Sequence, residues 1–231
     1  MNIIKIITAL KKKKKQKYKS IRLDDSDIEN QTYKRYFGGR AEKWESRGAF
    51  QLYFLKKMGL LPSHKFLSIG CGPCRAGTHF ITYLNEGNYY GIDYNKDFLK
   101  AAEYIINKRG LTSKKPRLHY CKNFNFPNSG MHFDFVLVFS VLNSCDDRQR
   151  KFFFRNAPKF LKKETKLYIT HAQWFMLREN MLHNTGISVS KKFNNSASIS
   201  HGLDMSVWGY EEDKTIFPIL ELKNNRYKKD D

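Results

Sequence analysis

Residues 66–93 read FLSIGCGPCRAGTHFITYLNEGNYYGID, and this stretch restricts the possible folds more than any other part of the chain. An apolar run (Phe66, Leu67, Ile69) enters a turn containing Gly70 and Gly72, a helical segment follows, and a second apolar run ends on a single acid, Asp93. Strand, glycine turn, helix, and a strand with a terminal acid form the layout of a nucleotide-binding βαβ unit. The glycines let backbone approach a ligand, and the acid can accept hydrogen bonds from ribose hydroxyls. The same residues also contain Cys71-Gly-Pro-Cys74, the spacing of a thiol–disulfide centre.

The pattern continues downstream. Helical periodicity over 42–58 precedes the first strand. The sequence then predicts strand 66–69, helix 75–85, strand 89–93, helix 96–108, strand 117–121, strand 134–140, helix 146–161 and strand 166–170. Alternation with short connections predicts a Rossmann-like α/β fold, a seven-stranded mostly parallel sheet with helices on both faces. The last part of the chain reads as an apolar helix at 173–182, a Ser/Asn-rich loop at 188–200, and strands at 205–210 and 215–222. Residues 1–30 read as a basic tail followed by a polar linker from Ser20 to Gln31. Residues 31–231 read as one domain whose first part, 31–60, supplies a lid and a helix.

Three chemistries compete for the first turn. A dinucleotide turn, G-x-G-x-x-G/A, wants a small third residue where helix packs on strand, and Arg75 occupies that place. A redox centre would use Cys71 and Cys74, but Gly70 stands where thioredoxin-like sites carry tryptophan, and the flanking alternation is too long for that fold. Zinc binding lacks a second paired spacing, since Cys121 and Cys145 are far apart.

The third chemistry follows from resemblance. The Gly70–Gly72 turn, Asp93 with the helix start YNKDFLKAAEYI, the segments CKNFNFP and FDFVLVFSVLN, and the run RNAPKFLKKETKLYIT resemble the class I S-adenosylmethionine-dependent methyltransferases over residues 34–170. The resemblance implies S-adenosylmethionine as methyl donor. Its amino acid part would lie on Ser68, Gly70, Cys71 and Gly72, its ribose on Asp93 beside Tyr94, and its adenine in the loop with Asn123 and Phe124. Ser140 would stand at the exit of the fourth strand. Here Ser68 takes the place of the family's acid, Cys74 that of its third glycine, and Asn123 that of its adenine-binding aspartate. The segment TYKRYFGGRAEKWESRGAF lies where the family folds a lid; Gly38-Gly39 supplies a hinge, and Tyr36 and Arg40 are placed to reach the donor carboxylate. The run from YFGG to GCGPCR further resembles bacterial methyltransferases associated with sugar and surface-glycan modification.

His171 directly follows the strand 166–170, on the edge where an acceptor lies, and is the candidate catalytic base; a polar loop histidine is the alternative. His201 and Asp204 are weaker candidates. Asp134 begins its strand, at the opposite edge, and reads as a turn or capping residue, and His79 reads as structural. No Asn/Asp-Pro-Pro-Tyr/Phe run follows strand 134–140, which lowers nucleobase N-methylation in rank. The expected reaction is O-methylation of a saccharide, glycan or other small polar acceptor. RNA methylation is the second choice, and a non-catalytic binding module with this fold is the alternative outside enzymes.

The net charge of +20, from 42 Lys+Arg against 22 Asp+Glu, attracts phosphates; an A/T-rich genome gives the same balance with no functional meaning. Ile3, Ile6, Ile7 and Leu10 precede Lys11–Lys15, the reverse of a secretory signal's order. That segment reads either as a peripheral contact with an anionic membrane or as a solvated tail. Reduced cysteines and a cytoplasmic location are expected.

Overall fold

The computed structural model describes residues 21–36, 41–122, 124, 131–159, 161–162, 164–170, 187–193 and 219–224. Its helices are α1 (Asp25–Glu29), α2 (Trp44–Lys57), α3 (Gly77–Tyr83), α4 (Lys96–Lys108) and α5 (Asp147–Asn156). Its strands are β1 (Phe66–Ile69), β2 (Tyr89–Asp93), β3 (Arg117–Tyr120), β4 (Phe135–Val138), β5 (Lys166–Thr170), β6 (Ile187–Phe193) and β7 (Ile219–Asn224).

The seven strands form one sheet in the order β3-β2-β1-β4-β5-β7-β6. The first five are parallel, and β7 runs antiparallel to both β5 and β6. The fold class expected from the alternation is therefore the one observed. Pairing between β6 and β7 shifts register between Val189 and Lys191, a bulge that bends the outermost strand.

Alternation of side chains along the strands builds two cores. Phe66, Tyr89, Phe135, Leu137 and Tyr168 point to one face and pack with Phe50 and Phe54 of α2, Phe80 of α3 and Ile105 of α4. Leu67, Ile69, Tyr90, Ile92, Val136, Val138, Leu167 and Ile169 point to the other and meet Phe153 and Phe154 of α5. Burial on both faces is why these strands read as continuous apolar runs. The starts of α4 and α5 are fixed by side chains: Asn95 accepts from the N–H groups of Asp97 and Phe98, and Asp146 with Gln149 closes a capping box. Tyr168 donates to Glu221 at 2.6 Å inside the β5–β7 pair, so the antiparallel addition carries a buried polar link. No described helix is long and apolar enough to cross a membrane.

Two expectations are corrected. The polar stretch from Ser20 to Gln31 is not a linker over its described part. Ile21, Leu23 and Ile28 are buried with Tyr33, Trp44, Phe98 and Ala101, and Asp24 caps α1 by accepting from the Asp27 N–H. Three apolar residues among charges are too few for a periodic signal, yet they suffice to cover the outer side of α4. The Ser/Asn-rich loop at 188–200 begins as strand β6, because Ile187 and Val189 alternate with polar residues and pair with β7. The expected strand at 215–222 appears as β7, and the expected helix at 173–182 and strand at 205–210 lie outside the described residues.

If α1 belongs to the folded unit, Ile28→Ala should cost about 2–4 kcal/mol of stability in urea unfolding. A change within about 0.5 kcal/mol, as for a solvated position, would contradict this packing.

Candidate functional site

The chain leaves β1 in the middle of the sheet, fills β2 and β3 on one side, then crosses to β4 on the other. That reversal lies at the carboxyl ends of β1 and β4, the place where open α/β sheets bind ligands. The candidate site is built there.

Gly70 and Gly72 both have positive φ, +73 and +54, and a side chain at Gly70 would collide with Val141, its Cβ 2.2 Å from Cγ2. The N–H groups of Gly70 and Cys71 both donate to the Ile92 carbonyl, at 2.8 and 3.0 Å, which ties the turn to β2. The Gly72 N–H donates to Oδ2 of Asp93 at 2.8 Å, and the Asn95 N–H donates to Oδ1 at 2.9 Å. Asp93 is buried, and burial pushes its carboxyl up to about 6 against the opposing effect of the N–H groups of Asn95, Gly72 and Tyr94. An ionised carboxylate offers about four acceptor positions, so acceptor capacity remains for ligand hydroxyls.

The two cysteines lie under the turn. Cys74 is in the left-handed region at φ +55, occupying a conformation usually left to glycine, and its Sγ is 3.7 Å from the Tyr89 hydroxyl. A Cβ on Gly77 would fall 2.7 Å from that sulfur, and one on Gly91 would fall 3.0 Å from Cys71 Sγ. The Cys71 thiol is pushed well up by its hydrogen bond with Cys74 and then by burial. A thiol held like that of Cys71 is a poor nucleophile. The pair fills space beneath the glycine turn. Ser68, half-buried on β1, shares a hydrogen bond with the Tyr89 hydroxyl.

The rest of the edge is strained in the same manner. Phe124 has φ +53 and meets Phe153 edge-on at 5.2 Å; Ser140 has φ +60, and its N–H donates to Thr170 Oγ1 at 2.7 Å. Left-handed non-glycine residues concentrate where structure serves a site. Tyr94 is 43 % exposed beside Asp93, open to a flat ligand. Tyr36 is half-buried and packs on the N-terminal cluster with the Arg35 guanidinium over its ring. Arg40, Asn123 and His171, with Gly38, Gly39, His201 and Asp204, lie outside the described residues. Asp134 accepts from the Lys65 N–H at 2.7 Å at the opposite edge, and His79 pairs with Glu45 between α2 and α3, so both are structural.

Sequence reasoning missed Asn95, Val141, Thr170 and Cys121. Asn95 joins the Asp93 carboxylate to the N-terminal segment, because its side-chain amide donates to the Ile21 carbonyl at 3.1 Å. The Cys121 N–H donates to the Asp93 carbonyl at 2.8 Å, and burial pushes its thiol up to about 11. Only Asn95 had a local signal, as the cap of a helix that directly follows a strand.

The family described as "Methyltransferase domain" matches residues 67–167, which run from β1 into β5. Magnesium protoporphyrin IX methyltransferase from Synechocystis PCC 6803, solved with S-adenosylmethionine bound, is similar with a TM-score of 0.60 at 14% identity, over 89% of this chain and 99% of that one. An S-adenosylmethionine-dependent methyltransferase from Clostridium acetobutylicum ATCC 824 gives 0.58 at 13% identity, over 87% and 99%. The StiE O-methyltransferase gives 0.52 at 13% identity, over 78% and 75%. Among curated proteins none matches this sequence.

The raised Asp93 carboxyl sets a pH dependence. Between its ordinary value of 3.8 and about 6 the folded chain holds a proton that the unfolded chain releases, so this group's contribution to stability falls as pH rises through that window. The ionised carboxylate is the stronger acceptor for hydroxyls, so the affinity expected for a hydroxyl-bearing ligand at this residue runs the other way. S-adenosylhomocysteine binding, followed by calorimetry, should weaken by up to about tenfold per pH unit below 6 and level off above about 7. Asp93→Asn should flatten the profile, and a wild-type affinity independent of pH would remove Asp93 from the site.

Proposed function

We propose that the chain is a class I S-adenosylmethionine-dependent methyltransferase, as the match of residues 67–167 to a methyltransferase domain supports, and that it methylates an oxygen of a small polar acceptor, with a saccharide or glycan as first choice. The observation that carries the donor half of this reading is the Asp93 carboxylate bonded to the Gly72 N–H at the carboxyl edge of β1 and β2, next to the point where the strand order reverses.

The residues present fit the donor. Asp93 accepts from the ribose hydroxyls, Gly70 and Gly72 let backbone approach the amino acid part, and Tyr94 offers a ring beside the adenosine. Tyr36, Arg40, Ser68, Cys71, Asn123 and Phe124 complete the proposed donor contacts. When bound, S-adenosylmethionine supplies a methyl group already activated on a sulfonium. The protein's own contribution is then chiefly positioning, a source of about 7–11 kcal/mol when two reactants are held together. Ser140, whose N–H is held by Thr170 at the exit of β4, belongs to the same proposed donor contacts.

A hydroxyl acceptor must also lose its proton. We assign that step to His171, which follows Thr170 at the end of β5. Support for oxygen as the methylated atom comes from the missing Asn/Asp-Pro-Pro-Tyr/Phe run after β4, where the chain reads Ser140-Val-Leu-Asn143, and from an O-methyltransferase among the similar structures. The net charge of +20 favours one second reading, RNA as acceptor. A cytoplasmic location, with the segment at Lys11–Lys15 resting on an anionic membrane surface, belongs to the same proposal.

S-adenosylhomocysteine calorimetry tests the donor: no heat at millimolar ligand would sink the reading. With a radiolabelled methyl donor and pools of saccharides and RNA, label should enter the saccharide pool, and His171→Ala should lower turnover by about 10²–10⁴-fold. Transfer into RNA alone would select the second reading, and unchanged turnover in His171→Ala would reject it as base.

A further inference from the structure

The donor turn, 70–75, has three left-handed residues in succession at alternate positions: Gly70, Gly72 and Cys74. A backbone path of this kind persists only where its surroundings over-determine it. From within the sheet the Ile92 carbonyl, Asp93 and Tyr89 fix it. Its last residue, Arg75, is fixed from outside by the N-terminal segment. The Arg75 guanidinium lies 5.7 Å from the ring centre of Trp44, and the Lys34 ammonium lies 5.6 Å from the same ring. Tyr33 meets that ring edge-on at 5.8 Å, and the indole is only 5% exposed. One helical turn further along α2, Gly48 faces the backbone of the turn. A Cβ there would lie 2.4 Å from the Arg75 carbonyl oxygen and 2.9 Å from the His79 ring. Between the two, Glu45 binds Arg109 and His79, which joins α2 to α3 and α4.

We propose that Trp44 and Gly48 are positioning residues for donor binding: the ring of one and the missing side chain of the other set where Arg75 sits, and so set the path of the Gly70–Cys74 backbone. The proposal rests on the donor site assigned above. Cation–π contact is strongest where water is excluded, as at this indole, and a glycine is required where helix backbone meets turn backbone this closely. The N-terminal segment thereby acts on the site without touching the reacting atoms. Displacements near 1 Å are large enough to matter for a ligand held by positioned groups.

The test compares affinity with stability. S-adenosylhomocysteine binding by calorimetry and thermal unfolding would be measured for the wild type, Trp44→Leu, Trp44→Phe, Gly48→Ala, Arg75→Met and the core control Leu55→Ala. Leu55 is fully buried on α2 but belongs to the core that α2 shares with the sheet. Trp44→Leu and Gly48→Ala should weaken binding by about tenfold or more, while Trp44→Phe, which keeps a ring under the guanidinium, stays within about threefold of the wild type. Leu55→Ala should lower the unfolding temperature and leave affinity within about threefold of the wild type. Wild-type affinity in Trp44→Leu and Gly48→Ala, or an equal loss in Leu55→Ala, overturns the proposal. If Trp44→Leu does not fold, Arg75→Met removes the cation from the ring, and unchanged affinity there overturns it as well. A wild-type protein that does not bind at all defeats the donor assignment itself, a result distinct from failure of the variants.

Discussion

The bond between the Gly72 N–H and the Asp93 carboxylate is the interaction on which the rest of the edge depends. A buried carboxylate is costly unless N–H groups face it. Here the donors come from the turn after β1 and from the start of α4, so one side chain joins the first strand, the second strand and the helix that follows. The compensation is incomplete, which is why the carboxyl remains raised to about 6. That residual cost is consistent with a group whose remaining partners belong to a ligand.

The sulfur pair shows how one turn tolerates an unusual composition. Cys74 adopts the left-handed conformation of the glycine it replaces, and its side chain is accommodated because Gly77 has none. Cys71 is accommodated in the same way by Gly91 on β2. A motif suggestive of redox chemistry is thus resolved by packing: the two sulfurs face inward, and glycines elsewhere leave them the volume.

What was legible in the sequence was local. The apolar runs of β1, β2, β4 and β5 were clear because both faces of these strands are buried, and the limits of α4 at Lys96 and Lys108 follow from its amphipathic repeat and the Asn95 cap. Gly70, Gly72 and Asp93 were legible for the same reason, since their spacing reports one connection of the chain. The partners that complete the site were not. Thr170 meets Ser140 and Val141 meets Gly70 across strands far apart in sequence, and nothing near any of these residues marks the encounter. Short elements escaped too. Helix α1 has a single turn and few apolar residues, and β6 begins in a run whose serines and asparagines resemble a loop.

The bulge between Val189 and Lys191 has a consequence for solubility. A parallel-sheet protein leaves a free strand at each end, and a flat free strand invites pairing with another copy. At one end of this sheet β6 is bent by the bulge within a segment that carries Lys191 and Lys192. At the other end β3 is only four residues long, with Arg117 and His119 exposed. Among the described residues, irregularity at one border and brevity with charge at the other leave no long, straight edge of the kind that templates pairing with another copy.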